Sequence, residues 1–170
     1  MSRDVKIAYL KSLQGYLWQS GYSSGALVCP LFPDVEPCLR KWHANGIRLI
    51  IYSSGSVAAQ KLLFQHTNSA ENKDMRDLLS GFFDTVNAGL KQEKESYERI
   101  LKSEGADGEK GRWLFLSDNV REVEAALEAG MQSLVVVREG NAVISDNDKE
   151  RFTLVKSFEE IEIQKGSHRE

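Results

Sequence analysis

The sequence predicts an α/β fold, a parallel sheet with helices on its faces. Three observations carry that reading. The run Ile47-Arg48-Leu49-Ile50-Ile51-Tyr52 is rich in β-branched and aromatic residues and lies between two helical patterns, as a strand buried on both faces does. Apolar segments at Phe82 to Thr85, Trp113 to Leu116 and Ser133 to Val137 repeat it, with helical stretches between them. Parallel strands need crossover connections, and those helices supply them.

In chain order, Ile7, Leu10, Leu13, Leu17 and Trp18 recur at spacings of three and four, which predicts an amphipathic helix over Val5 to Tyr22. Gly21, Gly25, Pro30 and Pro33 then punctuate the chain, and Asp34 is placed to cap a helix from Val35 to Asn45 that stops at Gly46. After the first strand, SSGS leads into a helix from Ala58 to Gln65. Further helices are expected at Glu93 to Glu104 and Val120 to Ala129. From Glu139 onward the chain is polar apart from Leu154 to Phe158, and the tail QKGSHRE is expected to fray. Residues 1–30 are thus set apart from an α/β body at 31–163, with 164–170 as a tail. Trp18, Trp42 and Trp113 read as packing residues, and His43 and His66 as helix residues without a catalytic role.

The composition bounds the function. With 170 residues, 41% hydrophobic and 28% charged, the chain suits one globular domain. A net charge of −3 offers no basic footprint for a phosphate backbone, so nucleic acid is not expected as a partner. No apolar stretch approaches the ~20 residues that span a bilayer, and the first twenty residues mix charge with apolar side chains, so neither a signal peptide nor a membrane partner is expected. Cys29 and Cys38 lack a metal-ligand spacing and read as free thiols in a reducing compartment.

Ligands in parallel α/β sheets bind beyond the carboxyl ends of the strands, where loops and helix N-termini converge. Three loops there carry chemistry. Ser53-Ser54-Gly55-Ser56 follows the first strand and opens a helix; it suits an anion approached by hydroxyls and N–H groups, or simply caps the helix. Lys91 stands just before a helix, where a cation opposes the dipole; phosphate would explain it, and so would a solvated loop end. Asp118, with Glu122 four residues on, suits an oxygen-ligated Mg²⁺ site, or serves as a helix cap.

The order of hydroxyl loop, lysine and acidic loop on successive strands resembles the second half of the haloacid-dehalogenase phosphohydrolase pattern. More closely, LQGYLW, FPDV followed by KW, IYSSGSVAAQKLLFQHTN, GFFDT, GLKQEKESY, LFLSDNVREVEAA and VVVREGNA resemble the enolase-phosphatases, also called acireductone synthases, from about Met1 to Ile161. The resemblance implies a Rossmann-like parallel sheet with the remnant of a helical cap. It also implies a Mg²⁺-dependent enzyme of methionine salvage that enolises and dephosphorylates 2,3-diketo-5-methylthiopentyl-1-phosphate. Ser53 and Ser54 would hold the phosphate, Lys91 would neutralise phosphate and nucleophile, Asp118 would bind Mg²⁺, and Gly55 and Glu122 would support them. A small phosphate ester as partner, a monomer, and a cytoplasmic location with the nucleus as a second one follow from the same resemblance.

One part of the pattern has no counterpart. The family's nucleophile stands in an aspartate-x-glutamate-glycine-threonine motif after its first, central strand, and these 170 residues contain none. Asp34-Val35-Glu36 is followed by Pro37 and Cys38 and matches a different family segment. Met1 to Asp4 resembles an interior stretch of the cap, so the chain reads as a family member without its first strand and most of its cap, and is expected to be inactive alone. The rival expectations are a non-catalytic remnant that binds a phosphorylated ligand or another protein, and an α/β binding module with no phosphate chemistry.

Overall fold

The computed structural model describes residue 13 and residues 15–163. Their contacts divide the chain into two compact units, one up to Asp84 and one from Thr85. Residues 5–12 and 14 of the expected helix, and all of the expected tail at 164–170, fall outside the described residues.

The first unit opens with a helix, α1, over 15–23. Tyr22 on it is buried and stacks on His66 with ring centroids 5.4 Å apart, whereas Trp18 is 40% exposed. Helix α2 (Val35–Ala44) buries Cys38, Leu39 and Trp42, positions that share one face at helical spacing. Asp34 occupies its N-cap position without a side-chain capping bond. The helix ends where Gly46 turns to φ +79° and the Gly46 and Ile47 N–H groups bond back to His43 and Trp42, a Schellman closure that needs the left-handed residue. That turn consumes Ile47 and Arg48, so β1 begins at Leu49 (Leu49–Tyr52), later than expected. Helix α3 (Val57–Gln65) follows, then β2 (Leu79–Phe83), which starts before the expected Phe82 because Leu79 pairs with Leu49. β1 and β2 are parallel.

The second unit contains α4 (Lys94–Ser103), β3 (Leu114–Ser117), α5 (Val120–Glu128), β4 (Gln132–Val136), α6 (Asp146–Arg151) and β5 (Leu154–Val155). Its sheet runs β3-β4-β5, parallel throughout. Tyr97, Ile100 and Leu101 from α4 and Val123, Ala125 and Ala126 from α5 are buried, as are Val135 and Val136 of β4. The α/β class with parallel strands is as expected. Among the described residues, however, the strands form two sheets, and no strand occupies the second edge of β1 or of β3. Cys29 and Cys38 are free thiols, and among the described residues no helix is long and apolar enough to cross a membrane.

Candidate active site

The serine loop leaves the carboxyl end of β1. Ser53 N donates to the Phe83 carbonyl at 3.1 Å, carrying the parallel pairing one residue past the strand. The Ser53 hydroxyl accepts from Gly55 N–H at 3.1 Å, which folds the loop tightly and leaves Ser54 exposed. The helix cap is Ser56, whose hydroxyl accepts from Ala59 N–H at 3.3 Å, so capping does not account for Ser53 or Ser54.

Two buried polar side chains set this loop. Gln60, 2% exposed, donates through Nε2 to the carbonyls of Gly55 and Phe83, each at 2.8 Å. Asp84, 7% exposed at the end of β2, accepts from Val57 N–H at 2.9 Å. The first amide of α3 thus already faces a carboxylate, and the Gly55 and Ala59 amides are also engaged. Three of the amides around this loop, those of Gly55, Val57 and Ala59, therefore bond within the protein. Sequence reasoning missed both residues. Gln60 could have been found as a long polar side chain amid the apolar VAAQKLLF, and Asp84 as a carboxylate ending an apolar strand.

In the second unit the candidate residues converge at the carboxyl end of β3. Lys91 lies in the loop before α4, and its Nζ is 2.5 Å from Glu122 Oε2 and 5.8 Å from the centroid of the Phe115 ring. Side-chain exposures of 21% for Lys91 and 12% for Glu122 set this pair apart from a solvated loop end. Partial burial matters because charges screened by water contribute little. Glu122 Oε2 also accepts from Ser117 Oγ at 2.7 Å, and Ser117 Oγ accepts from Asn119 N–H at 3.1 Å. The carboxylate therefore joins the lysine to the strand end.

Asp118 is exposed, and its Oδ2 accepts from Asn141 Nδ2 at 3.0 Å. Asn141 is itself fixed, its Oδ1 accepting from Arg138 N–H at 2.6 Å across the turn that Asn141 N–H closes onto the Arg138 carbonyl at 3.1 Å. The cap of α5 is Asn119, which accepts from Arg121 N–H at 3.0 Å, so Asp118 is not a cap. Asn141 is a third residue the sequence reading missed, because nothing local ties it to Asp118, 23 residues away.

As a hard oxygen donor held at one corner, Asp118 fits a place in a Mg²⁺ shell. Glu122 is occupied by Lys91 and Ser117. Among the described residues there is no group of three or more His, Cys, Asp or Glu side chains arranged to hold a metal ion, so Asp118 would be one ligand of an incomplete site.

The description "haloacid dehalogenase-like hydrolase" fits a family model matched over residues 20–130, more than half of the chain. The chain is 59% identical over 172 aligned residues to Enolase-phosphatase E1 of Botryotinia fuckeliana, covering 95% of this chain and 67% of that protein. It is 61% identical over 161 residues to the protein of the same name from Podospora anserina, covering 95% and 68%. Among solved structures, the UTR4 protein of Saccharomyces cerevisiae superposes with a TM-score of 0.78 at 37% identity, over 89% of this chain and 66% of that one. A dehalogenase at 18% identity and a TM-score of 0.61 shares the fold. The chain spans about two thirds of the length of these relatives. It belongs to the haloacid dehalogenase-like hydrolases and, within them, to the enolase-phosphatases.

Proposed function

We propose that these residues form the phosphate-binding and charge-neutralising part of a Mg²⁺-dependent enolase-phosphatase of methionine salvage. The reaction converts 2,3-diketo-5-methylthiopentyl-1-phosphate to the acireductone 1,2-dihydroxy-3-keto-5-methylthiopentene and phosphate. The observation that carries the reading is the half-buried Lys91–Glu122 pair beside Asp118 at the carboxyl end of β3, in a chain 54–61% identical to proteins named for this activity.

Each residue then has a role set by its surroundings. Ser53 and Ser54 donate hydroxyl hydrogens to phosphate oxygens. Lys91 brings a positive charge toward the phosphate, and Glu122 keeps that charge aimed while lowering its net field. Asp118, oriented by Asn141, is the ligand this chain contributes to Mg²⁺, which when bound neutralises phosphate charge. In the family this chain belongs to, the covalent intermediate would form on an attacking carboxylate. Ser53 is a poor replacement, since a serine needs a neighbouring base and its oxygen instead accepts from Gly55 N–H. Asp34, at the start of α2, carries no catalytic role in this reading. The nucleophile and general acid come from an Asp-x-Glu-Gly-Thr segment outside these 170 residues. A small phosphate ester is the partner, acting on a monomer in the cytoplasm or nucleus.

A second reading is favoured by the absence of that motif from the 170 residues: a catalytically silent remnant that binds a phosphorylated ligand or a protein. Joining the chain in frame to a segment that carries the motif separates the two. Mg²⁺-dependent phosphate release from the diketo substrate is the expected result. A folded fusion that binds phosphate without releasing it would leave the remnant reading standing.

A further inference from the structure

Lys91 is held at two points. Glu122 takes its ammonium, and its own main-chain carbonyl accepts from the Tyr97 hydroxyl at 2.6 Å. Tyr97 is 1% exposed, the fourth residue of α4. Side chains tilt toward a helix N-terminus, so those of the first turns reach back over the preceding loop. Three do so here. Beside Tyr97, Arg99 donates to the Ala88 carbonyl, and Ser96 lies so close to Gly89 that an added Cβ would come within 2.4 Å of its hydroxyl. Gly89 also sits at φ +115°, so its missing side chain is required by both space and backbone.

The Tyr97 ring meets Phe115 edge-on at 4.9 Å, and Phe115 is the ring over which Lys91 Nζ lies. A phenylalanine would fill the same space and keep that contact. Burying a hydroxyl is unfavourable unless it finds a partner, and the partner it finds is the lysine's own backbone. A lysine is a point charge on a flexible stem, so fixing its base reduces the ordering that ligand binding must impose.

We propose that Tyr97 is the positioning residue of Lys91, its hydroxyl setting the loop so that the ammonium is delivered to a phosphate at the carboxyl end of β3. The inference rests on the reading of Lys91 as a phosphate ligand. Inorganic phosphate titrated into the 170-residue chain and followed by phosphorus NMR tests it in four forms: unaltered, Lys91→Met, Tyr97→Phe and the double variant. Lys91→Met is expected to weaken binding about tenfold, as loss of a charged hydrogen bond does. Tyr97→Phe should weaken it about threefold and add nothing to Lys91→Met, because residues acting through one another are not additive. Urea unfolding of each variant, expected to remain cooperative, separates a lost hydroxyl from a lost fold. Unchanged affinity in Tyr97→Phe, or a double variant weakened by the product of the two single factors, would overturn the proposal. Unchanged affinity in Lys91→Met would remove the phosphate reading itself.

Discussion

The serine loop and the lysine–aspartate cluster meet the same requirement, a fixed polar site at strand ends, with different forces. Around Ser53 three side chains engage main-chain groups: Gln60 donates to the carbonyls of Gly55 and Phe83, Asp84 accepts from Val57 N–H, and Ser53 accepts from Gly55 N–H. Around Lys91 and Asp118 the charged groups meet other side chains, Lys91 with Glu122, Glu122 with Ser117, and Asp118 with Asn141. The first arrangement gives shape, and removing a member distorts the loop. The second gives charge, and removing a member changes the field while the backbone stays where its strand put it. In the proposed enzyme, then, the first unit supplies geometry and the second supplies electrostatics.

The largest expected effect sharpens that contrast. In the chain joined to the motif-bearing segment, Lys91→Met or Asp118→Asn should cut turnover by about 10²-fold or more, the scale seen when one preorganised electrostatic group is lost. Ser53→Ala should cost about tenfold, one hydrogen bond among several. Equal losses, measured as kcat/KM, would erase the distinction. Stability should show the reverse order. Gln60→Leu takes the side-chain donor from the Gly55 carbonyl and one of two donors from the Phe83 carbonyl, which Ser53 N–H still serves, a cost of about 1–3 kcal/mol, whereas Asp118→Asn at an exposed position should leave the urea midpoint nearly unchanged. Urea unfolding of both variants checks this, and a larger loss in Asp118→Asn would contradict it.

Metal binding gives a smaller effect. With Asp118 alone in position, Mg²⁺ should bind the 170-residue chain weakly, because the ion wants six oxygen ligands and gives up water reluctantly. Calorimetric titration that showed tight binding, lost in Asp118→Asn, would mean that other carboxylates complete a shell. The smallest effect is a pH dependence in the first unit. The Ser69 hydroxyl, 2.5 Å from Glu36, holds its carboxyl below the usual carboxylate range, with Arg40 adding to the effect. A lowered folded-state value means that this stabilisation is complete above the unfolded carboxylate pKa and disappears as pH falls through the folded one. Glu36→Gln should therefore lower stability at neutral pH and flatten its acid-side decline, which thermal unfolding at several pH values would register.

The alternation of strand and helix was legible because short apolar runs mark the strands and period-3.6 stripes mark the helices. Boundaries were less so. The Gly46 turn takes Ile47 and Arg48 out of β1, and pairing with Leu49 recruits Leu79 into β2. α6, with sequence DNDKER, escaped notice because a helix that is polar all round has no apolar stripe to betray it. It is signalled only by the Ser145 cap on Asp148 N–H. Of the site, the three chemical loops were legible from strand-end position. Gln60, Asp84, Tyr97 and Asn141 were not, since each acts on a backbone or side-chain group brought near by the fold. Asp118 and Asn119 are equally good capping residues by type, and only geometry shows that the cap is Asn119.

The central claim is that these residues bind and neutralise a phosphate ester but do not attack it. Phosphate release from the diketo substrate by the purified 170-residue chain, with Mg²⁺ present, tests this most directly. The account predicts none above background. Removing the nucleophile of a well-studied protease leaves about 10³-fold catalysis over water, and phosphate monoesters are among the slowest substrates to hydrolyse unaided. Mg²⁺-dependent turnover by the chain alone, abolished by Asp34→Asn, would contradict the account and make Asp34 the nucleophile.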